Sequence, residues 1–502
     1  MTNRINFKQK IDKGSKLPFF SYRFILPDES DWIIFTFDTI HNVWLQFLVF
    51  DTHGTLRVQY LRGNSLNKIL LHKEPEKSSA LTIPGELTGG EWVIQAFTAH
   101  GSNDDRHQIE SNVSYEIVVE SGKGDVIDQG NFHPLGNTHW VLPQQGEGFF
   151  INGYDWDEMK EPGEKWYRGD FHTHTIFSDG KMTRSGNIES AQKQNLDFFV
   201  ATEHNIVHTS WTDERLLIIP GVEVTSTKGH WNLLGVRQWP DIRTSLPDGG
   251  LQTEAGTKQL FQEMKNTDAL CSVNHPFLPP WAWQYTDIPL SMIDSIEIWN
   301  DPTFKDNLIA TEHALNFWSN TWNEGYHITG IGGSDSHLLP HESYNDDGQP
   351  SLIGDPATHV RAQNLSASAI LKAVKQGKVF VSRGPFIHLN ASIGNQTFNM
   401  GEELTTALEL NDYSGKCAVT LENCDENISI CWIENGEVVL EEQGATSSYT
   451  FNWKSKGYRW LRVDVRSADG QLLAFTNPIY YGDQTPSVST WGQLLQKIDS
   501  QK

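Results

Sequence analysis

The pattern of apolar and polar positions divides the chain into three stretches. Over residues 1–150, short aromatic and β-branched runs dominate: WIIFTFDTI, VWLQFLVFD, TLRVQYLRG, EWVIQAFTA and SYEIVVESG. Turn residues separate them, as in DTHG, LTGG and SGKGD. A strand turns successive side chains to opposite faces, so evenly spaced short runs of this kind predict a β-sandwich. The turn-rich segment VLPQQGEGFFINGYDWDEMKEPGEKW leads out of it.

From 166 to 384 the pattern changes. Seven strand-like runs follow: the lead-in to DFHTH, then DFFVATEH, RLLIIPGVEV, HWNLLGV, ALCSVNH, SIEIWN and HITGIGGSDSH. Between or after them, RSGNIESAQKQN, TKQLFQEMKNT and SASAILKAVKQG have helical spacing. Strands alternating with helices predict an α/β unit, here a β/α barrel of seven strands. Residues 385–485 return to alternation, with ENGE and ADGQ as hairpin turns, and predict a second sandwich-like β domain. Residues 486–502 read as a short helix or tail.

Composition narrows the functional classes. The 502 residues are 38% hydrophobic and 11% aromatic, enough for a packed core rather than disorder. Lys and Arg number 39 against 63 Asp and Glu, a net charge of −24. With no basic stripe, such a chain is a poor partner for duplex nucleic acid or an anionic membrane surface, and a small-molecule substrate is expected. Small anions remain compatible if bound cations reverse the local field. The start MTNRINFKQK lacks the apolar core of a leader, and no run approaches the ~20 apolar residues of a membrane helix, so the expected location is cytoplasmic. Cys417, Cys424 and Cys431 are evenly spaced without a CxxC pair and read as small buried hydrophobes. Nothing in the sequence speaks to oligomeric state.

Eleven of the 19 histidines fall within 166–384, and several end a predicted strand, the place where β/α barrels collect functional residues. His172 and His174 alternate on one strand and so share a face, and Asp179 follows on a turn. Then come Glu203-His204, Glu223 in GVE, His230 in GHWN, His275 in NHP, and Asp335 with His337 in GGSDSH. His172, His174, Asp179, His204, Glu223, His230, His275, Asp335 and His337 are the candidate ligands. Six His, two Asp and one Glu are too many for one tetrahedral ion but suit two or three sharing a bridging carboxylate. Mixed nitrogen and oxygen donors fit Zn, Mn or Fe. His208, His313, His327, His341 and His359 read as surface or core residues, although His208 and His341 follow metal motifs closely enough to reach substrate. PFLPPWAWQY at 276–285 is a candidate apolar lining.

The ordered run DFHTHTIFSDG, TEHN, GVE, GHWN, NHP and GGSDSH resembles the PHP (polymerase and histidinol phosphatase) family. With SRGPF and FTNPIYY, it is closest to the CehA/McbA-type metallohydrolase branch. The resemblance implies a distorted seven-stranded β/α barrel with a trinuclear site. By that likeness His172, His174, Glu223 and Asp335 hold a first ion, Glu223 bridges to a second held by His230 and His275, and Asp179, His204 and His337 hold a third. Glu203 stands where many relatives carry Asp. The expected activity is metal-dependent hydrolysis of a phosphoester by a metal-bridging hydroxide, with Glu223, Asp335, His337 and His208 as the catalytic candidates. Two alternatives stand beside it: hydrolysis of a carbamate, carboxylic ester or amide, and a non-enzymatic binding protein on a PHP scaffold.

Overall fold

The computed structural model describes residues 2–16, 18–39, 44–98, 111–126, 132–212, 215–244, 246, 249–345, 348–424, 427–454 and 457–501. It is a mixed α/β structure with large sheets and few helices. Seven central strands lie side by side in chain order: Glu161–Asp170, Phe198–Ala201, Leu217–Ser226, Gly229–Leu234, Leu270–Val273, Ser295–Asn300 and Thr329–Gly333. They coincide with the seven runs that the sequence marks. Neighbours are parallel except around Gly229–Leu234, which is antiparallel to both of its partners. Every residue of the last six strands is buried. That explains their near-continuous apolar character, since a strand covered on both faces has no polar side to alternate with.

The expected barrel does not close. The first and last of the seven strands are not paired, and one isolated bridge, Thr173 with Ser336, links the loops that follow them. Side chains occupy the outer edge of Thr329–Gly333 instead. Gly330 N donates to Asn477 Oδ1 (2.8 Å), and Asn477 Nδ2 donates back to Gly330 O (2.8 Å). Gly332 N donates to Thr358 Oγ1 (3.0 Å), which donates to Gly332 O (2.7 Å). With those backbone groups satisfied, the edge needs no partner strand. The first strand pairs on its free side with Ala357–Leu365, antiparallel. Through Val379–Ser382 the sheet continues into Leu472–Thr476, Arg459–Ser467, Ile428–Glu434 and Glu437–Gln443, a fourteen-stranded sheet in all. It therefore joins strands from both sides of residues 384 and 385.

The helices Arg184–Lys193, Glu254–Lys265 and Ala367–Lys375 occupy the three segments with helical spacing, and Thr183, Thr253 and Ser366 cap them by accepting from a first-turn N–H. Asn307–Asn323 is a helix that the pattern did not mark. It buries ten of its 17 residues, among them Asn307, Thr311, Ser319 and Thr321, so no polar face offsets an apolar one. The C-terminal segment is the helix Trp491–Ser500, whose Trp491 stacks on Phe317 with ring centroids 4.0 Å apart.

The N-terminal strands form two four-stranded sheets around one core of Phe24, Phe35, Phe37, Phe47, Tyr60 and Trp92 with their neighbours. Another four-stranded sheet, including Phe386–Ile393 and Ser414–Glu422, packs on the C-terminal extension of the large sheet. Cys417 and Cys431 are buried and Cys424 is half-buried, and all three are free thiols. Among the described residues, no helix is long and apolar enough to cross a membrane.

Candidate metal centre

The nine predicted ligands converge at one end of the seven strands. His172 and His174 follow the first strand, His204 the second, His275 the fifth, and Asp335 and His337 the seventh; Glu223 lies within the third. His230 is the second residue of Gly229–Leu234. Because that strand runs the other way, its beginning lies where the others end, with His230 opposite Thr225. Three non-glycine residues at this end have left-handed backbones: Asn205 (φ 54°), His275 (φ 28°) and Asp335 (φ 47°). Each such residue costs about 1–3 kcal/mol, and strain of this kind collects where surroundings over-determine a site.

Glu223 and Asp335 are the hubs. His172 Nε2 is 3.2 Å from Glu223 Oε1 and 3.2 Å from Asp335 Oδ1. His174 Nε2 is 3.5 Å from Glu223 Oε2 and 2.9 Å from Asp335 Oδ1. His230 Nδ1 and His275 Nε2 approach Glu223 Oε1 to 3.2 and 3.5 Å. His204 Nδ1 approaches Glu223 Oε2 to 2.7 Å, and its Nε2 is 3.4 Å from Asp179 Oδ1. Asp179 Oδ1 lies 3.0 Å from His337 Nε2.

Four groups of donors lie close enough to share an ion: His174, Asp179, His204 and His337; His172, His174 and Asp335; His172, His275 and Glu297; and His204, Glu223 and His230. These differ in part from the sets that the family resemblance implies. His174 joins the Asp179 group, His204 joins Glu223 and His230, and His275 turns toward His172 and Glu297. Glu297 is the donor that sequence reading missed. It is the one acidic residue in SIEIWN, but it sits mid-strand, away from the strand ends that carry the other motifs. Its Oε1 is 3.0 Å from His172 Nδ1, and its Oε2 accepts from His275 N (2.9 Å) and Asn300 Nδ2 (3.1 Å).

Further buried groups fix the donors. Asn274 Nδ2 donates to Glu223 Oε1 (2.9 Å). Asp170 accepts from the backbone of His172 (3.0 Å), Ser334 (3.0 Å) and Gly354 (2.7 Å), tying the two ends of the seven-strand set together. Gly333 must lack a side chain, since a Cβ there would stand 2.5 Å from His172 Cβ and 2.7 Å from Glu297 Oε1. His208 lies outside the convergent set. Its Nε2 is 3.2 Å from Glu203 Oε1, and its ring packs against Trp211, Phe177 and Trp140. Glu203 also accepts from Thr175 and Ser178, so it braces the turn before Asp179. His341 is exposed. Of the loop at 276–285, Trp283 is buried in the core, whereas Trp281 is half-buried beside Phe304.

The electrostatics separate the donors. Burial pushes the Glu223, Asp335 and Asp179 carboxyls up, but the surrounding imidazoles outweigh it and hold all three well below the usual carboxylate range. Burial also lowers the His204 and His337 imidazoles, yet Glu223 and Asp179 raise His204 to about 10, and Asp179 with Asp335 raises His337 to about 9. Burial wins at His174 and His230, leaving them at about 4 and about 3.

The donor set fits divalent ions. His172 Nε2, His174 Nε2, Asp179 Oδ1, Glu223 Oε2 and Asp335 Oδ1 are buried and make no hydrogen bond among the described residues. Leaving such groups unpaired costs about 1–3 kcal/mol each, so native proteins rarely do so without a partner. Donors about 2.1 Å from one ion stand roughly 3.0–3.4 Å apart, close to the separations seen here.

No family model matches the chain, and no curated protein matches it. Several solved structures are similar, among them two at low scores. A two-domain protein from Bacteroides vulgatus, described as containing a predicted PHP-like metal-dependent phosphoesterase, is 17% identical over 65% of this chain and 99% of its own, with a TM-score of 0.34. An FMN-binding β-glucuronidase from Faecalibacterium prausnitzii is 9% identical over 95% of this chain and 94% of its own, with a TM-score of 0.23. Likenesses this slight carry no argument about chemistry, which rests on the donor set.

Proposed function

We propose that the chain is a metal-dependent hydrolase of the PHP type acting on a phosphoester, with residues 166–384 as its catalytic unit and two or three divalent ions as cofactors. The observation that carries this reading is the convergence of unpaired imidazole nitrogens and carboxylate oxygens on Glu223 and Asp335. Divalent ions, when bound, supply Lewis acidity and bring the pKa of water toward neutrality. The chain's residues do the rest. Glu223 presents both oxygens, one toward His172, His230 and His275 and the other toward His174 and His204. Glu297 orients the His172 ring and Asn274 fixes the Glu223 carboxylate, the service that outer partners give to metal ligands. Asp179 and His337, with side chains 35% and 23% exposed, are where solvent and substrate reach the set. A phosphoester suits such a site because its non-bridging oxygens can meet more than one cation.

Two observations favour the carbonyl-ester or carbamate reading of the CehA/McbA type. Arg383 is committed to Asp355 (2.9 Å), and Arg168 to the backbone of Gln194, so neither is held for an anion. Trp281, Phe304 and Tyr344 form an aromatic chain on the loops after the fifth, sixth and seventh strands, with centroids 6.2 and 5.3 Å apart. Metal-analysed protein should therefore be assayed on a nitrophenyl phosphate, a bis-nitrophenyl phosphate, a nitrophenyl acetate and an aryl methylcarbamate, with and without Mn or Zn. Metal-dependent release from the phosphates supports the phosphoesterase reading. Release from the acetate or carbamate alone transfers it to carbonyl chemistry, and a chain that takes up no metal returns it to a binding scaffold.

A further inference from the structure

The N-terminal sandwich touches the donor set directly. Asn64 Nδ2 donates to the backbone oxygens of Asp179 and Gly180 (both 2.9 Å), and Asn64 N donates to Ser178 O (3.0 Å). Gln46 Nε2 donates to Asn205 O (2.7 Å). Gln59 donates to Val207 O (3.0 Å) and accepts from Val207 N (3.3 Å). The Trp44 ring lies 4.6 Å from that of His204. The approach at Gly63 is so close that a Cβ there would overlap Ser178 O at 1.5 Å.

These contacts fall on two short segments, 178–180 and 204–207. The first carries Asp179 and the second begins with His204, two members of the group completed by His174 and His337. Gln46 and Gln59 are each 1% exposed. Burying an amide is unfavourable unless its hydrogen bonds are met, and here the backbone beside the ligands meets them. The other donors are held from within 166–384, by Asn274, Glu297 and Asn300.

We propose that the N-terminal sandwich is a working part of the metal centre. Asn64, helped by Gln46 and Trp44, is a positioning residue for the Asp179–His204 group and sets chiefly the affinity of the ion held there; ions held by Glu223 and Asp335 respond less, through the His204 that Glu223 shares. This rests on the metal-dependent reading above. It gives the sandwich a role within the site rather than as a separate module.

The test uses the full-length chain carrying Asn64→Ala, with Gly63→Ala as a second variant that pushes on the Ser178 backbone instead of removing a donor. Each is stripped with chelator and titrated with Co(II) by absorbance, with ion content by elemental analysis and Tm of the metal-free form alongside. The expected result is an affinity loss of about 10–100-fold for one ion per chain, as for other outer partners, with a smaller loss at the remaining ions and an unchanged metal-free Tm in Asn64→Ala. Gly63→Ala, whose Cβ meets Ser178 O, loses that ion too and also loses Tm. Equal affinities in wild type and both variants would overturn the proposal. So would a uniform weakening of every ion with a lowered Tm in Asn64→Ala, because that is what a merely structural contact does. If wild type itself binds no Co(II), the metal reading fails first, an outcome distinct from either.

Discussion

Glu223, His172 and His174 have side chains no more than 1% exposed, whereas Asp179 and His337 are 35% and 23% exposed. The buried half of the donor set is braced by groups from its own strands: Asn274 on Glu223, and Glu297 on His172 and His275. The open half sits on a turn and on loops after strands, and leans on Asn64, Gln46 and Trp44 from another part of the chain. Close packing makes the first half stiff whatever is bound. The second needs an outside support, as loops that must admit substrate often do. The contrast predicts unequal responses to substitution.

The largest effect belongs to Glu223→Gln. Glutamine keeps the shape but removes the charge facing His172, His174, His204, His230 and His275. Metal content should fall for more than one ion, and kcat/KM by more than the ~10–100-fold typical of an outer partner. A variant that keeps its full metal complement would dissolve the distinction, since Glu223 would then be no hub. Glu297→Gln comes next. It leaves the predicted nine ligands intact but loosens the His172 ring, so metal affinity should fall about 10–100-fold with little change in fold. An unchanged titration would return Glu297 to the core as an ordinary buried acid. Gly333→Ala is smaller and acts on stability: the new methyl meets His172 Cβ at 2.5 Å, and overpacking of this kind costs about 1–3 kcal/mol, readable by denaturant unfolding. No loss would mean that the two strand ends can part.

The same contrast marks what could be read from the sequence. The seven strands were legible because six of them are buried apolar runs and six adjoin a metal motif, and HTH and SDSH put two donors two residues apart on one face. Glu297 was not legible, because it sits mid-strand and its partner His172 is 125 residues away. Closure was misread for a related reason. Whether the seventh strand pairs with the first depends on Asn477 and Thr358 occupying its edge, and both lie far along the chain. His208 shares a segment with His204 but turns into an aromatic box, a choice made by Trp140, Trp211 and Phe177. The support from Asn64 lay beyond any local pattern, since it joins residues 115 positions apart.

The smallest expected effect is a pH dependence. The open half contributes His204 and His337 to it, and the buried half His172, which burial lowers but Asp335, Glu297 and Glu223 raise well above its ordinary value. In the metal-free chain Glu223 and Asp179 raise His204 to about 10, and Asp179 with Asp335 raises His337 to about 9. An unfolded histidine titrates near ~6.5. A pKa raised on folding contributes stability that is complete below the unfolded value and disappears as pH climbs through the folded one. The metal-free Tm should therefore decline from about pH 6.5 toward pH 9–10. His174 and His230, lowered to about 4 and about 3, are already neutral there and add nothing to that slope. With metal bound the imidazoles are unprotonated ligands, so the decline should vanish, and uptake near neutral pH should release protons from His172, His204 and His337. Calorimetric titration at pH 7.5 in two buffers of different ionisation enthalpy counts those protons. Release in wild type that drops by about one proton in His337→Asn assigns that share of the charge to the open half. Equal release in both would mean that His337 carries no charge in the metal-free chain, and the electrostatic share given to the open half would have to be redrawn.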